Sequence, residues 1–225
     1  MSTNLIVSYD GTVNDDDAVA LAKTLARAGS QLALAYVRHS REFDPRREEL
    51  AQYDAERRLE QGAALLEDPG TPRHVVVSPS TGEGLERLAE AEGASVIVFG
   101  SDYRTPPGHA EPGTSAQHLL EGGPLAIAVA AAGLRTETDA AIKSIAILGP
   151  EGDLAAAQTA EALATRLDAS VVAPDPDLEQ VDLFVVGSQP SAPAGRIALS
   201  GATREMLNRA DGSVLVVPRG KPVQL

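Results

Sequence analysis

The chain has 225 residues, a formal net charge of −13 and only 3% aromatic residues, with neither tryptophan nor cysteine. A nucleic-acid groove needs clustered Lys and Arg with stacking rings, and an anionic membrane surface repels an acidic chain, so we expect neither partner. The lack of cysteine excludes thiol catalysis, cysteine-based zinc sites and disulfides. No apolar run is long enough for a signal peptide or a membrane span, and we expect a cytoplasmic protein.

In the first half, short apolar runs alternate with stretches of helical periodicity. Nearly continuous Val, Ile, Leu and Ala in the runs indicates parallel strands that are covered on both faces. The fold class predicted is therefore α/β, with a doubly wound and mostly parallel sheet. Strands are predicted at 4–9, 32–37, 74–77, 96–99 and 125–129, and helices at 18–28, 46–66, 84–91 and 115–121.

The pattern then repeats in a shorter form. After a polar stretch at 131–141, strands are predicted at 144–148, 170–173, 183–186 and 214–217, with a helix at 154–167. Asp10 to Gly100 spans 90 positions but Gly149 to Gly187 only 38, so the third strand and the helices beside it have no counterpart. We predict a complete domain at 1–132, a linker at 133–142 and a shortened domain at 143–225.

Two of the predicted strands run into a Gly-Ser pair, at Gly100 and at Gly187, and each is followed by a loop and a short helix. Loops of this kind are where α/β proteins hold phosphates. Aligning the second glycines, Gly113 and Gly201, brings the two copies into register without a gap up to residues 129 and 217. In that alignment the second loop is one residue longer, although Ser200 stands at the spacing of the first loop.

With these residues the chain resembles a tandem universal stress protein. Residues 5–12, LIVSYDGT, match the opening of that family, and Gly100 and Gly113-Thr114 have the separation of its loop pattern G-x2-G-x9-G-[ST]. The inner glycine is replaced by Tyr103. The resemblance implies a Rossmann-like fold, dimerisation through the last strand and, in one branch of the family, a bound ATP with no dedicated catalytic residues. Mg²⁺ is expected only together with ATP.

The resemblance implies a site for an adenine nucleotide in the first domain. Asp10 can accept hydrogen bonds from ribose hydroxyls or hold a cation, or it can form an Asx turn. Gly100 lacks a Cβ, so a phosphate can approach its backbone, or it supplies the turn alone. Thr114 and Ser115 can cradle an anion or cap the helix. The nine residues expected at the site are Ser8, Tyr9, Asp10, Val37, Gly100, Ser101, Gly113, Thr114 and Ser115.

Other candidate constellations have structural explanations. The acidic run 15–17 fits a helix start, where the helix dipole favours negative charge, and lacks the spacing of a calcium loop. The four histidines show no metal-ligand spacing, so no metal site and no catalytic residue are predicted. The second copy has Gly149-Pro150 in place of the aspartate turn and Pro190 in place of the inner glycine. We expect it to have lost the nucleotide site and to serve as a built-in dimer partner, with residues 125–129 close to 214–217; a homodimer is also open.

Three functions remain open at this stage. The first is a stress-type regulatory protein that binds ATP or another adenine nucleotide, favoured by Asp10, Gly100 and Gly113-Thr114. The second is a scaffold or interaction module that retains only the fold, favoured by Tyr103 and by the deletions in the second half. The third is a hydrolase that acts on an adenylate, for which the sequence offers no nucleophile with a base. We therefore expect a binding protein without catalytic residues.

Overall fold

The structure, a computed structural model, describes residues 4–137, 140–149, 154–173 and 181–225. Strands and helices alternate through the first half, as the periodicity predicts. The strands are β1 (Leu5–Ser8), β2 (Leu32–Arg38), β3 (Arg73–Val77), β4 (Val96–Phe99) and β5 (Ala126–Val129). The helices are α1 (Val13–Ala26), α2 (Pro45–Leu66), α3 (Thr81–Glu92) and α4 (Thr114–Leu120), followed by a 3₁₀ turn at Leu134–Thr136.

The second half repeats the order with fewer elements. Its strands are β6 (Ser144–Leu148), β7 (Ser170–Val172), β8 (Leu183–Gly187) and β9 (Ser213–Val217), and its helices are α5 (Leu154–Leu167) and α6 (Gly201–Leu207). Only ten residues separate β7 from β8. Within the described residues, β3, α2 and α3 therefore have no counterpart in the second half, in agreement with the sequence prediction.

All nine strands form one sheet, in the order β3-β2-β1-β4-β5-β9-β8-β6-β7, and every neighbouring pair except β5 and β9 is parallel. Helices α1, α2 and α5 pack on one face, and α3, α4 and α6 on the other. Both faces of the central strands are buried, which explains their continuous apolar sequences. This confirms the predicted doubly wound α/β class. Among the described residues, no helix is long and apolar enough to cross a membrane.

The two halves meet at the antiparallel pair β5 and β9, which we call the seam. Ala128 lies opposite Leu215, Ile127 opposite Val216 and Val129 opposite Val214. The predicted proximity of the two last strands is therefore confirmed. The sheet continues through the seam, so each half covers an edge of the other that would otherwise expose unpaired backbone groups.

Hydrogen bonds in the two Gly-Ser loops correct the repeat alignment. The hydroxyl of Ser101 donates to the carbonyl of Ala130 at 2.6 Å, and that of Ser188 donates to the carbonyl of Val217 at 2.8 Å. Each residue in this part of the second half thus lies 87 positions after its counterpart (101 and 188, 130 and 217). Gly113 corresponds to Ser200, because these residues cap α4 and α6. The alignment of Gly113 with Gly201 was wrong by one residue, and the second loop is no longer than the first.

The same offset relates Ala128 to Leu215, which lie opposite each other in the seam. A residue that pairs with its own counterpart marks a pseudo-twofold axis, as in an isologous dimer interface. The loops on either side repeat this reciprocity. His109 Nδ1 lies 2.9 Å from the carbonyl oxygen of Ala210, and its counterpart Arg196 donates to the carbonyl of Gly122 at 3.1 Å. The loop after β4 therefore contacts the second half, and the corresponding loop after β8 contacts the first half.

Part of the predicted linker packs on the first half. The buried carboxylate of Asp17 in α1 accepts hydrogen bonds from the backbone N–H groups of Gly133 and Arg135, at 2.9 and 2.8 Å, and from the Arg135 guanidinium at 2.7 Å. These bonds fix the segment that leaves β5. The predicted domain limits, 1–132, 133–142 and 143–225, remain a prediction, and Pro150 of the predicted turn lies outside the described residues.

Candidate functional site

The turn after β1 is held by carboxylates. The Asp10 side chain accepts from the Thr12 N–H at 3.2 Å, which is the Asx turn that the sequence left open. Asp15 in the first turn of α1 accepts from the N–H groups of Asp10 and Thr12, both at 3.0 Å, and from the Thr12 hydroxyl at 2.8 Å. Thr12 in turn accepts from the Asp15 N–H, and the two residues form a capping box. The exposed Asp10 carboxylate thus stands on a rigid turn.

Asp15 has a strongly perturbed acidity. Burial is the largest cause, and together with the neighbouring Asp10 carboxylate it raises the pKa of Asp15 from 3.8 to about 7. The hydrogen bonds from the Asp10 backbone and Thr12 act in the opposite direction, because they stabilise the charged form. A carboxyl group that titrates near neutral pH therefore lies at the start of α1.

Two residues expected at the site are used by the core or the loop instead. The Tyr9 ring is 3% exposed in the core and packs beside Gly62 of α2, and its hydroxyl donates to Asp16 at 3.0 Å. Burial, followed by the nearby Asp16 carboxylate, raises the pKa of Tyr9 well above its usual range. The buried Ser101 hydroxyl donates to Ala130 and accepts from the Glu111 N–H at 3.1 Å. Neither side chain points to the loop edge as a free ligand group.

Gly100 allows α1 to approach the loop. A Cβ at this position would lie 2.1 Å from the carbonyl oxygen of Asn14, so a larger residue would displace the start of α1. The Asn14 side chain also donates to the carbonyl of Ser101 at 2.8 Å. The space above Gly100 on this side is filled by the chain itself, which gives the glycine a packing role that the sequence did not reveal.

The start of α4 differs from its counterpart in the second half. Gly113 is the N-cap of α4 and makes no side-chain hydrogen bond, and neither Thr114 nor Ser115 takes the capping position. In α6, the hydroxyl of Ser200 caps the helix by accepting from the Thr203 N–H at 3.0 Å. The capping role considered for Thr114 or Ser115 is therefore wrong, and the exposed Thr114 hydroxyl lies at an uncapped helix start.

Two cavities border the predicted site residues. The larger, which we call the seam cavity, has a volume of about 610 Å³ and contains Gly113 and Thr114 in its wall. The smaller, which we call the turn cavity, has a volume of about 480 Å³ and is lined by residues 12–15 and 101–103. The other six predicted site residues line neither of these two cavities: Ser8, Tyr9, Asp10, Val37, Gly100 and Ser115. The structure therefore brings Gly113 and Thr114 together at one cavity and places Ser101 at the other.

The remaining predicted residues lie around the same edge of the sheet. Ser8 ends β1, and the Val37 side chain near the end of β2 lies beside Gly84 of α3, on the face that also carries α4. Tyr103 is 74% exposed and borders the turn cavity, where the Arg104 guanidinium lies 4.9 Å from its ring centre. Whether Tyr103 obstructs a nucleotide stays a prediction.

Sequence reasoning missed three contributors: Asn14, Asp15 and, from the second half, Arg204. The spacing of Thr12 and Asp15 was a readable signal, since Ser or Thr followed three residues later by an acidic residue indicates a capping box. Arg204 lines the seam cavity together with Thr114, and only the pairing of the two halves reveals this. In the described ranges, no three or more His, Asp or Glu side chains form a group that could hold a metal ion.

Comparison with known proteins defines the class of the chain. The architecture is that of an α/β protein with two repeats joined through their last strands. A Gly-Ser loop follows β4 in the first repeat and β8 in the second. The sequence profile of the universal stress protein family matches residues 1–129, and the chain belongs to that family. Among curated proteins, none matches the chain.

Solved structures agree over almost the whole chain. A universal stress protein from Archaeoglobus fulgidus DSM 4304 has a TM-score of 0.69 and 12% identity, covering 98% of this chain and 100% of its own. A protein of unknown function from Pseudomonas aeruginosa PAO1 has a TM-score of 0.62 and 15% identity, covering 97% and 93%. A universal stress protein from Archaeoglobus fulgidus in complex with dAMP has a TM-score of 0.35 and 14% identity, covering 42% and 78%. At these identities the first two likenesses show the fold.

Proposed function

We propose that the chain is a stress-type regulatory protein that binds one adenine nucleotide, ATP or a smaller adenylate, in its first half. The observation that carries this proposal is the position of Gly113-Thr114. This pair has the separation from Gly100 that the family pattern requires, and it lines a cavity of about 610 Å³. A cavity of this size is typical of small-molecule sites.

The residues present fit a nucleotide in part. The Gly113 backbone, the Thr114 hydroxyl and the Ser115 segment would hold phosphate oxygens, and the backbone near Ser8 and Val37 would face the adenine. The exposed Asp10 carboxylate would accept from the ribose or, with ATP, contact Mg²⁺.

The scaffold function is the second candidate, and one contact favours it. The Asn14 carbonyl occupies the space above Gly100 that a nucleotide could otherwise use. Carboxylates of Asp15 and Asp102 line the turn cavity without a cation among its described lining residues, which disfavours a phosphate there, whereas the seam cavity, which Asp102 also lines, contains Arg204. A nucleotide must therefore bind on the α4 side of the loop, with its phosphates at Thr114 and not in the turn cavity.

Isothermal titration with ATP and Mg²⁺ tests the proposal. We expect one site per chain, and we expect Asp10→Ala and Thr114→Val each to weaken binding by about tenfold through the loss of a polar contact. Thr165→Val, an exposed threonine on α5 outside the site, is the matched control and should bind like the wild type. Two equal sites, or no binding of ATP, ADP or AMP at all, would contradict the proposal, and the second result favours the scaffold function.

A further inference from the structure

The seam cavity is built by both halves of the chain. The first half contributes Gly113, Thr114 and Gln117 from the start of α4, and the second half contributes Arg204 and Asn208 from α6 and the residue after it. Its apolar surface consists mainly of aliphatic side chains from both halves: Ala110, Pro112, Leu120, Val129, Leu199, Leu207, Val214 and Val216. A ligand at Gly113-Thr114 would therefore be close to side chains of the second half.

The charges in this cavity are unequally distributed. Gln117 and Arg204 are counterparts, 87 positions apart, yet only the second is charged. Of the described residues in the lining, Arg204 is the cation, and Asp102 and Glu111 are the anions. The backbone N–H of Arg104 donates to Asp102 at 3.1 Å, which partly satisfies that carboxylate.

The Arg204 guanidinium is exposed and available. Among the described residues it forms no ion pair, and the hydrogen bonds of Arg204 are those of its backbone, whose N–H donates to the carbonyl of Ser200 and whose carbonyl accepts from the Asn208 N–H. A guanidinium binds phosphate or carboxylate oxygens in pairs, more strongly than a neutral donor does. Arg204 and Thr114 line the same cavity, so a ligand that fills this cavity borders both residues.

We propose that Arg204 of the shortened second half binds the phosphate of the ligand held at Gly113-Thr114 of the first half. The proposal rests on the nucleotide function proposed above and extends it. It gives the second half a role in recognition, because this half supplies the cation of the seam cavity, whereas Arg104 of the first loop lies outside the lining of that cavity. The specificity is for a phosphorylated adenine compound over its nucleoside.

The test compares AMP, adenosine and inorganic pyrophosphate by isothermal titration against the wild-type chain and two variants. Arg204→Gln introduces the residue found at the counterpart position, and Arg209→Gln makes the same change on an exposed residue outside the cavity lining. We expect Arg204→Gln to weaken AMP and pyrophosphate by about tenfold and leave adenosine unchanged, because a charge-assisted contact to the phosphate alone is lost. Arg209→Gln should bind all three like the wild type.

The outcomes separate the two proposals. If AMP binds wild type and Arg204→Gln equally, Arg204 is not a phosphate ligand and this inference is overturned, whereas the nucleotide function stands. Another outcome is that pyrophosphate binding depends on Arg204, AMP binds no more tightly than pyrophosphate and adenosine does not bind. The adenine base then contributes nothing to affinity, so the nucleotide function fails while the contact between Arg204 and an anion remains. Loss of adenosine binding in Arg204→Gln also overturns the inference, because the change would then act through the fold.

A second variant tests the sign of the electrostatic effect. Glu111 is exposed in the lining, and its counterpart in the second half is the uncharged Ala198. Glu111→Gln removes a negative charge from the cavity, and we expect it to strengthen AMP binding a few-fold while adenosine stays unchanged. Unchanged or weaker AMP binding would show that the phosphate does not enter this cavity.

Discussion

Asp15 is a residue whose acidity departs strongly from its ordinary behaviour. Its carboxyl group interacts with the Asp10 carboxylate and Thr12, its charge also acts on the Tyr9 hydroxyl, and the Arg58 guanidinium donates to the carbonyl of Asp10. Burial and the Asp10 charge both disfavour its ionised form. The capping box of α1 therefore contains a group that can gain a proton under mildly acidic conditions.

This acidity predicts a pH dependence of stability. The folded pKa of Asp15, about 7, lies above its ordinary value of 3.8, so the folded state binds the proton more tightly than the unfolded state. The resulting stability is lost as pH rises through 7 and regained as it falls, and it is complete below 3.8. We expect wild-type unfolding free energy to increase more steeply than that of Asp15→Asn as pH falls from 7 to 5, measured by urea denaturation.

The control for this comparison is Asp54→Asn, an exposed aspartate on α2. The free energy of unfolding of Asp54→Asn should depend on pH as that of the wild type does, because this variant retains Asp15. Parallel curves for wild type and Asp15→Asn would show that Asp15 ionises at its ordinary pKa in the folded chain.

For individual residues, the sequence predicted where a residue lies along the fold better than the direction in which its side chain points. It placed Gly113 and Thr114 at a loop edge, where a cavity indeed opens. It could not tell that Tyr9 points into the core, because a strand residue next to a loop can face either side of the sheet. The approach of Asn14 to Gly100 joins residues far apart in the chain, and no local pattern encodes such a contact.

At the scale of elements, the two Gly-Ser loops use the same device. The buried Ser101 hydroxyl joins the end of β4 to the end of β5, and the buried Ser188 hydroxyl joins β8 to β9. Each hydroxyl also accepts one backbone N–H ten residues later, from Glu111 or Ala198. Each serine therefore fixes both the loop and the last strand of its repeat.

This equivalence predicts matched losses of stability. Ser101→Ala and Ser188→Ala should each lower the free energy of unfolding by about 1–3 kcal/mol, because each leaves buried backbone groups without a partner. Urea denaturation of both variants and of the double variant measures this, with the exposed Ser191→Ala as the control. A loss confined to Ser188→Ala would contradict a structural role for Ser101.

Strand and helix types were predictable because periodicity is a local property. The wrong repeat alignment has an equally local cause: Gly113 was matched to Gly201 by residue type. The structure shows that the shared property is the N-cap position, which glycine fills in α4 and serine in α6. The Ser200 hydroxyl accepts a hydrogen bond from a free backbone N–H at the start of α6. The two capping residues are therefore of different types but occupy equivalent positions.

For the whole molecule, the seam is the feature that makes two unequal repeats into one sheet. Ala128 and Leu215 lie opposite each other near the pseudo-twofold axis, a small residue against a large one, and both are fully buried. The sequence predicted that the last strands meet, because both repeats end in an apolar strand. It did not predict the seam cavity or Arg204 in it, since both depend on how the helices of the two halves face each other across the seam.

The pseudo-symmetry predicts what the first half does alone. A fragment of residues 1–137, which retains the bonds from Asp17 to Gly133 and Arg135, would expose the β5 edge with its unpaired backbone groups and buried apolar residues. We expect it to dimerise through β5 with Ala128 at the axis, as measured by sedimentation velocity. Two alanines would leave the space that Leu215 fills, so Ala128→Val should tighten the dimer, while Ala128→Asp should abolish it by burying a charge. A folded fragment that stays monomeric, or whose association ignores residue 128, would show that the seam depends on features of the second half and not on β5 itself.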